Sequence, residues 1–155
     1  MEVTVIRSNR KTMAIQVNSD LTVTVRAPMR AYSKEIDPLS YAEIQELSDK
    51  ALEYIPSGVA YFSKQVGVDC GRITIRNQKT RWGSCSSKGN LNFNCLLMLT
   101  PPEVIDYVVV HELCHRKEMN HSKAFWDEVA KILPDYKKQV QWLKNEGGRI
   151  MRRQE

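Results

Sequence analysis

A chain of 155 residues and 17.9 kDa is long enough to bury a core and short enough to form one domain. Its 42% apolar and 26% charged residues are ordinary for a soluble globular protein, and its longest apolar runs, residues 95–99 and 107–110, are far too short to span a bilayer. The net charge of +5 is uneven, at +4 over residues 1–34, −5 over 35–63, +5 over 64–88 and +1 thereafter.

Met1-Glu2-Val3-Thr4 lacks the basic start and apolar centre of a signal peptide, so a cytoplasmic protein is expected. Residues 3–7, 12–17 and 21–26 are β-branched segments separated by polar turns, which predicts an N-terminal β-meander over residues 1–30 that ends at Pro28. Ser40-Tyr41-Ala42-Glu43 has the capping-box form, and Ile44, Leu47, Ala51 and Ile55 then trace a helical stripe. Pro56 predicts a break, followed by a short helix carrying Val59, Phe62 and Val66 and ending at Gly67.

From Gly71 to Cys95 the pattern is strand-like. Residues 81–85 and 91–95 pair across the turn Ser86-Ser87-Lys88-Gly89-Asn90. In residues 72–76 the period-2 alternation puts Ile73 and Ile75 on one face and Arg72, Thr74 and Arg76 on the other, a basic stripe of the kind that a nucleic acid or phosphate would meet. Thr100 as cap, Pro101 as first helical residue and Glu103 completing the box predict a helix whose apolar residues cover most of its circumference, hence a central one. After it, Ala124, Phe125, Val129, Ile132 and Leu133 form a stripe capped near Asn120 or Ser122 and stopped by Pro134. A final helix over 135–145 is expected to stop at Gly147 and Gly148, leaving a core of 40–148 and a loose tail of 149–155 in a single domain. The four cysteines show no Cys-x-x-Cys spacing and are expected to be buried thiols.

All three histidines, His111, His115 and His121, fall within eleven residues. On a helix, residues four apart lie on one face, so His111 and His115 can aim two imidazole nitrogens at one point. Glu112 is about 100° round from His111, near enough to reach water carried by a metal without being a ligand, which suits a general base. His121 would sit about 240° round from His115 on an unbroken helix, so the helix must stop for it to fold back as third ligand; Lys117 and Asn120 supply stop signals. A carboxylate from Glu118, Asp127 or Glu128 is the alternative third ligand. Three histidines with no fourth partner nearby fit the open shell of a catalytic Zn2+ rather than a closed structural site.

The segments Arg81-Trp82-Gly83-Ser84-Cys85, Gly89-Asn90-Leu91-Asn92-Phe93-Asn94, Pro101-Pro102-Glu103-Val104-Ile105-Asp106-Tyr107 and residues 111–126 resemble the YgjP-like family of predicted metal-dependent hydrolases, relatives of the SprT-like zincin peptidases. The resemblance implies a zincin-like α+β fold, a small antiparallel sheet packed on the central helix, metal ligands at His111, His115 and His121, and a catalytic Glu112. The spacing to His121 is also that of the metzincin peptidases, with Glu118 where those carry glycine.

The function expected first is metal-assisted hydrolysis of a peptide bond in a protein or peptide substrate bound as an added strand on a sheet edge. Residues 91–95 are the expected edge, with Asn92 and Asn94 facing the cleft and Arg81, Tyr107 or Tyr136 as candidate oxyanion donors. Two alternatives stand beside it. One is a nucleotide or phosphoester hydrolase with Arg72, Arg76, Lys79 or Arg81 holding phosphate; the other is a nucleic-acid-associated binding module with a non-catalytic metal.

Overall fold

The structure is a computed structural model that describes the backbone of three N-terminal strands, β1 (Val3–Ser8), β2 (Ala14–Val17) and β3 (Val23–Pro28), and all of residues 39–152. The three strands fall where the β-branched segments predict them, but they do not form a meander. β3 is central, pairing parallel to β1 and antiparallel to β2, so the first and last strands run side by side. Residues 1–2, 9–13, 18–22, 29–38 and 153–155 lie outside the described residues.

Helix α1 (Tyr41–Val66) starts at the capping box. Ser40 accepts from the Glu43 amide and Glu43 accepts from the Ser40 amide. Removing it by Ser40→Ala should lower stability by about 1 kcal/mol in urea unfolding, with zinc content unchanged. Pro56 does not break this helix. The carbonyl it leaves without a donor belongs to Leu52 on the exposed face, while Ile55 and Val59 continue the buried stripe, so burial outweighs the lost bond. Gly67, in the left-handed conformation, ends it.

The second sheet holds β4 (Ile73–Arg76), β5 (Gly83–Cys85) and β6 (Leu91–Asn94) in the order β4-β6-β5. It is mixed rather than antiparallel, because β4 runs parallel to β6 while β5 is antiparallel to it. β6 is therefore the central strand and β5 an edge, which overturns the expectation that residues 91–95 form the open edge. Leu91 and Phe93 are fully buried and pack with Val108, Val109 and Leu113 of α2 (Pro102–Cys114) in one core that also takes Ile55 and Val59 of α1. Between β6 and α2 a 3-10 turn (Cys95–Leu99) replaces the strand end expected at Cys95. α2 begins one residue later than predicted and without a side-chain cap, since the Thr100 hydroxyl donates instead to the Leu97 carbonyl.

Ser122 caps α3 (Lys123–Ile132), and α4 (Tyr136–Trp142) runs through a π-helical stretch (Leu143–Gly147) into α5 (Gly148–Met151). Gly147 and Gly148 keep right-handed helical angles, so the expected stop is not one, and residues 149–151 of the expected loose tail are helical with Met151 buried. Among the described residues no helix is long and apolar enough to cross a membrane.

Candidate active site

The last turn of α2 carries His111 and Glu112, and His115 caps it. The helix ends there because the Glu118 amide bonds back to the Cys114 carbonyl and closes a turn, after which the chain reverses and brings His121 round ahead of the Ser122 cap. The result is convergence. His111 Nε2 lies 3.3 Å from His115 Nε2 and 3.1 Å from His121 Nε2, and the three potential ligand atoms are all within 4.8 Å of one another.

The Nδ1 atoms of His111 and His115 are spoken for. His115 Nδ1 donates to the Glu118 carbonyl at 2.9 Å, which puts its proton on Nδ1 and leaves a lone pair on Nε2. His111 Nδ1 lies 3.1 Å from the Tyr107 hydroxyl, one helical turn earlier. Aromatic rings from α3 and α4 line up behind the imidazoles: Phe125 stacks on His115, Trp126 stacks on His121, and Tyr136 of α4 stacks on Trp126. Burial, with His115 and His121 adding to it, pushes His111 down to about 3, and burial likewise lowers His115. Three imidazole groups converging at these distances could hold a shared divalent cation.

None of the carboxylates weighed as a third ligand joins the cluster. Glu128 pairs with Lys117 and Lys131, Asp127 pairs with Lys123, and Glu118 contributes its backbone carbonyl.

Glu112 is buried, and burial pushes its carboxyl up to about 7 against the opposing pull of Arg81. Edge strand β5 crosses directly above it. A Cβ on Gly83 would come within 3.1 Å of both Glu112 Cγ and Oε2, tight enough that a side chain there would need the strand or Glu112 to give by a few tenths of an ångström. Two cavities meet at Glu112: an open cleft lined by the three histidines with Gly83, Ser84, Cys85 and Met119, and a smaller one lined by Trp82, Tyr107, Val108 and Leu143.

Other expected site residues are placed differently. Asn94 is fully buried and donates to the Gln78 and Arg81 carbonyls while accepting from the Leu96 amide, so it holds the loop and the 3-10 turn together rather than facing the cleft. Asn92 sits mid-sheet between Arg76 Nε and the Ser84 hydroxyl. Neither lines either cavity. Of the four basic residues considered for phosphate, only Arg81 reaches the site. Tyr107 stands behind His111, on the side of the ring away from the other histidines. The approach of β5 over Glu112 was not foreseen, and Gly83 within Arg81-Trp82-Gly83-Ser84-Cys85 was its signal. Cys85 is half-buried at the cleft rather than in the core.

Comparisons with known proteins bear on the fold and the family. No curated protein matches the chain. Among solved structures, the metallopeptidase zymogen abylysin of Pyrococcus abyssi is similar at 23% identity and a TM-score of 0.53, over 59% of this chain and 93% of that one. Jannalysin of Methanocaldococcus jannaschii, also a metallopeptidase zymogen, is similar at 20% identity and a TM-score of 0.53, over 59% of this chain and 95% of that one. At these identities the likeness establishes the zincin-like α+β fold. The family with the description "YgjP-like, metallopeptidase domain" matches residues 40–146, which span α1, the second sheet and the whole histidine site, and the chain belongs to that family of metal-dependent hydrolases.

Proposed function

We propose that the protein is a zinc-dependent peptidase in which His111, His115 and His121 hold the metal and Glu112 is the general base. The observation that carries this is the convergence of three imidazole Nε2 atoms beside a buried carboxylate. Zinc–nitrogen bonds of about 2.0–2.1 Å at tetrahedral angles place their nitrogens about 3.3 Å apart. The two Nε2 separations of 3.3 and 3.1 Å match that spacing.

Zinc bound there would lower the pKa of water to about 7 and polarise the scissile carbonyl. The chain's own residues do the rest. Glu112 faces the cleft and takes a proton from the attacking water as the C–O bond forms; it then returns that proton to the amide nitrogen, and the C–N bond breaks as the amine departs. His115, fixed by the Glu118 carbonyl, and His111, fixed by Tyr107, keep their Nε2 atoms directed inward. β5 is the edge against which an extended substrate lies, since Gly83, Ser84 and Cys85 border the cleft.

The phosphoester reading keeps only Arg81 at the site, because Arg76 is engaged by Asn92, and Arg72 and Lys79 line neither cavity. Elemental analysis of the purified protein should give one zinc per chain. Chelation should abolish peptide hydrolysis, and added zinc should restore it. Full zinc occupancy with no turnover on any peptide would overturn the peptidase assignment.

A further inference from the structure

The two cavities that share Glu112 differ in character. The cleft over the histidines is the more open and the more polar of the two; the other, of about 200 Å3, is walled by Trp82, Tyr107, Val108 and Leu143. Sites for drug-sized ligands run to about 300–1,000 Å3, so this one has room for a single apolar side chain. Its far wall is built tightly: Leu143 opens the π-helical stretch, and at the end of that stretch a Cβ on Gly147 would come within 3.2 Å of Trp82 Cζ2. Departures from α-helical geometry of this kind occur frequently at functional sites.

At the junction stands one cation. Arg81 lines both cavities, is exposed, and among the described residues its guanidinium has no hydrogen bond or ion pair. Its place two residues before β5 decides which end of a substrate it meets. A peptide pairing antiparallel to β5, the sense in which β6 already pairs with it, enters at Cys85 and leaves at Gly83, so its C-terminal part arrives at Trp82 and Arg81. A parallel peptide would instead bring its N-terminal ammonium toward a like charge.

We propose that the protein is a carboxypeptidase: Arg81 binds the α-carboxylate of the substrate's last residue and the apolar cavity takes that residue's side chain. The guanidinium fork matches a carboxylate with two parallel N–H donors. The peptide bond before the last residue then lies at Glu112 and the histidines. Water adds its oxygen to the acyl carbon and, through Glu112, one proton to the leaving nitrogen, giving a shortened peptide and a free apolar amino acid. This rests on the peptidase reading above.

The test uses zinc-loaded full-length protein and one peptide sequence ending in Phe, offered as the free acid, as the C-terminal amide, and extended beyond Phe with both ends blocked. The free acid should release Phe, and amidation should lower kcat/KM by about 10- to 100-fold, the scale of hydrogen bonds to a charged group. Arg81→Gln should bring the acid-to-amide ratio toward one, and Arg81→Lys should recover part of it. Equal slowing of acid and amide by Arg81→Gln would overturn the proposal and make Arg81 a positioning or oxyanion residue. Cleavage of the blocked, extended peptide as fast as the free acid would also overturn it while leaving the peptidase reading intact. No cleavage of any peptide would remove the peptidase reading and this one with it. A binding measurement is independent of turnover: in Glu112→Gln protein, calorimetry should show N-acetyl-L-phenylalanine binding about tenfold or more tighter than its amide, with the preference lost on adding Arg81→Gln. Equal binding of acid and amide overturns the proposal.

Discussion

Glu112→Gln is expected to lower kcat for peptide hydrolysis by about 10²- to 10⁴-fold while leaving zinc content unchanged, because Gln keeps the shape of the side chain but cannot accept a proton. The separation of the two readouts follows from geometry. In the proposed site the three imidazoles would supply the ligand set without the carboxylate, which lies beneath Gly83 facing the cleft. A structural role for Glu112 would predict the opposite, a loss of folding along with activity. In the metal-free protein the sign can be worked out. Burial raises the folded pKa from 4.5 to about 7, so as the pH rises through that window the unfolded chain loses its proton first, and folding stability is lost and not regained above it. Gln carries no charge, so metal-free Glu112→Gln should lose less stability than metal-free wild type between about pH 5 and pH 8, measured by urea unfolding. A divalent cation at the histidines favours the ionised carboxylate and should narrow the difference when zinc is present. Unchanged turnover in this variant would remove Glu112 from the chemistry.

What was legible in the chain follows the range of the forces involved. Placing His111 and His115 on one face needs only the local geometry of a helix, and the stop that lets His121 return is written in the next few residues. Capping at Ser40 and Ser122 is local too. Strand order is not. The alternation in residues 72–76 and 91–94 tells which face is apolar but not which strand lies between which, because parallel pairing of β4 with β6 joins segments with another strand between them in the chain. Hence the cleft's edge was assigned to residues 91–95 when it belongs to Gly83–Cys85. Asn94 shows the same limit at a single residue: an asparagine that follows an apolar position reads as surface, yet three carbonyl and amide partners from its own loops pull it inside. Propensity argues for stops at Pro56 and at the glycines 147 and 148, and tertiary packing overrides it. At Gly147 the gain is close contact with Trp82, which helps shape the apolar cavity.

His121→Ala should abolish tight zinc binding while leaving the fold in place. His121 is exposed and lies between α2 and α3 rather than in either, so the core built by Phe93, Val109, Leu113 and Phe125 does not depend on it. Two imidazoles would remain, and no carboxylate stands ready to substitute, since Asp127 and Glu128 are held by lysines. Changes in the partners that merely orient ligands typically cost about 10- to 100-fold in metal affinity, and losing a ligand outright should cost more than that. Competition with a chromogenic chelator would measure the loss, and far-UV circular dichroism would confirm that α2 and α3 survive. Activity should fall with occupancy and return in part at high zinc, because Glu112 is still in place. Zinc affinity equal to wild type would mean that the 3.1 Å approach of His121 to His111 has nothing to do with a metal, and the peptidase chemistry would then lack its third ligand.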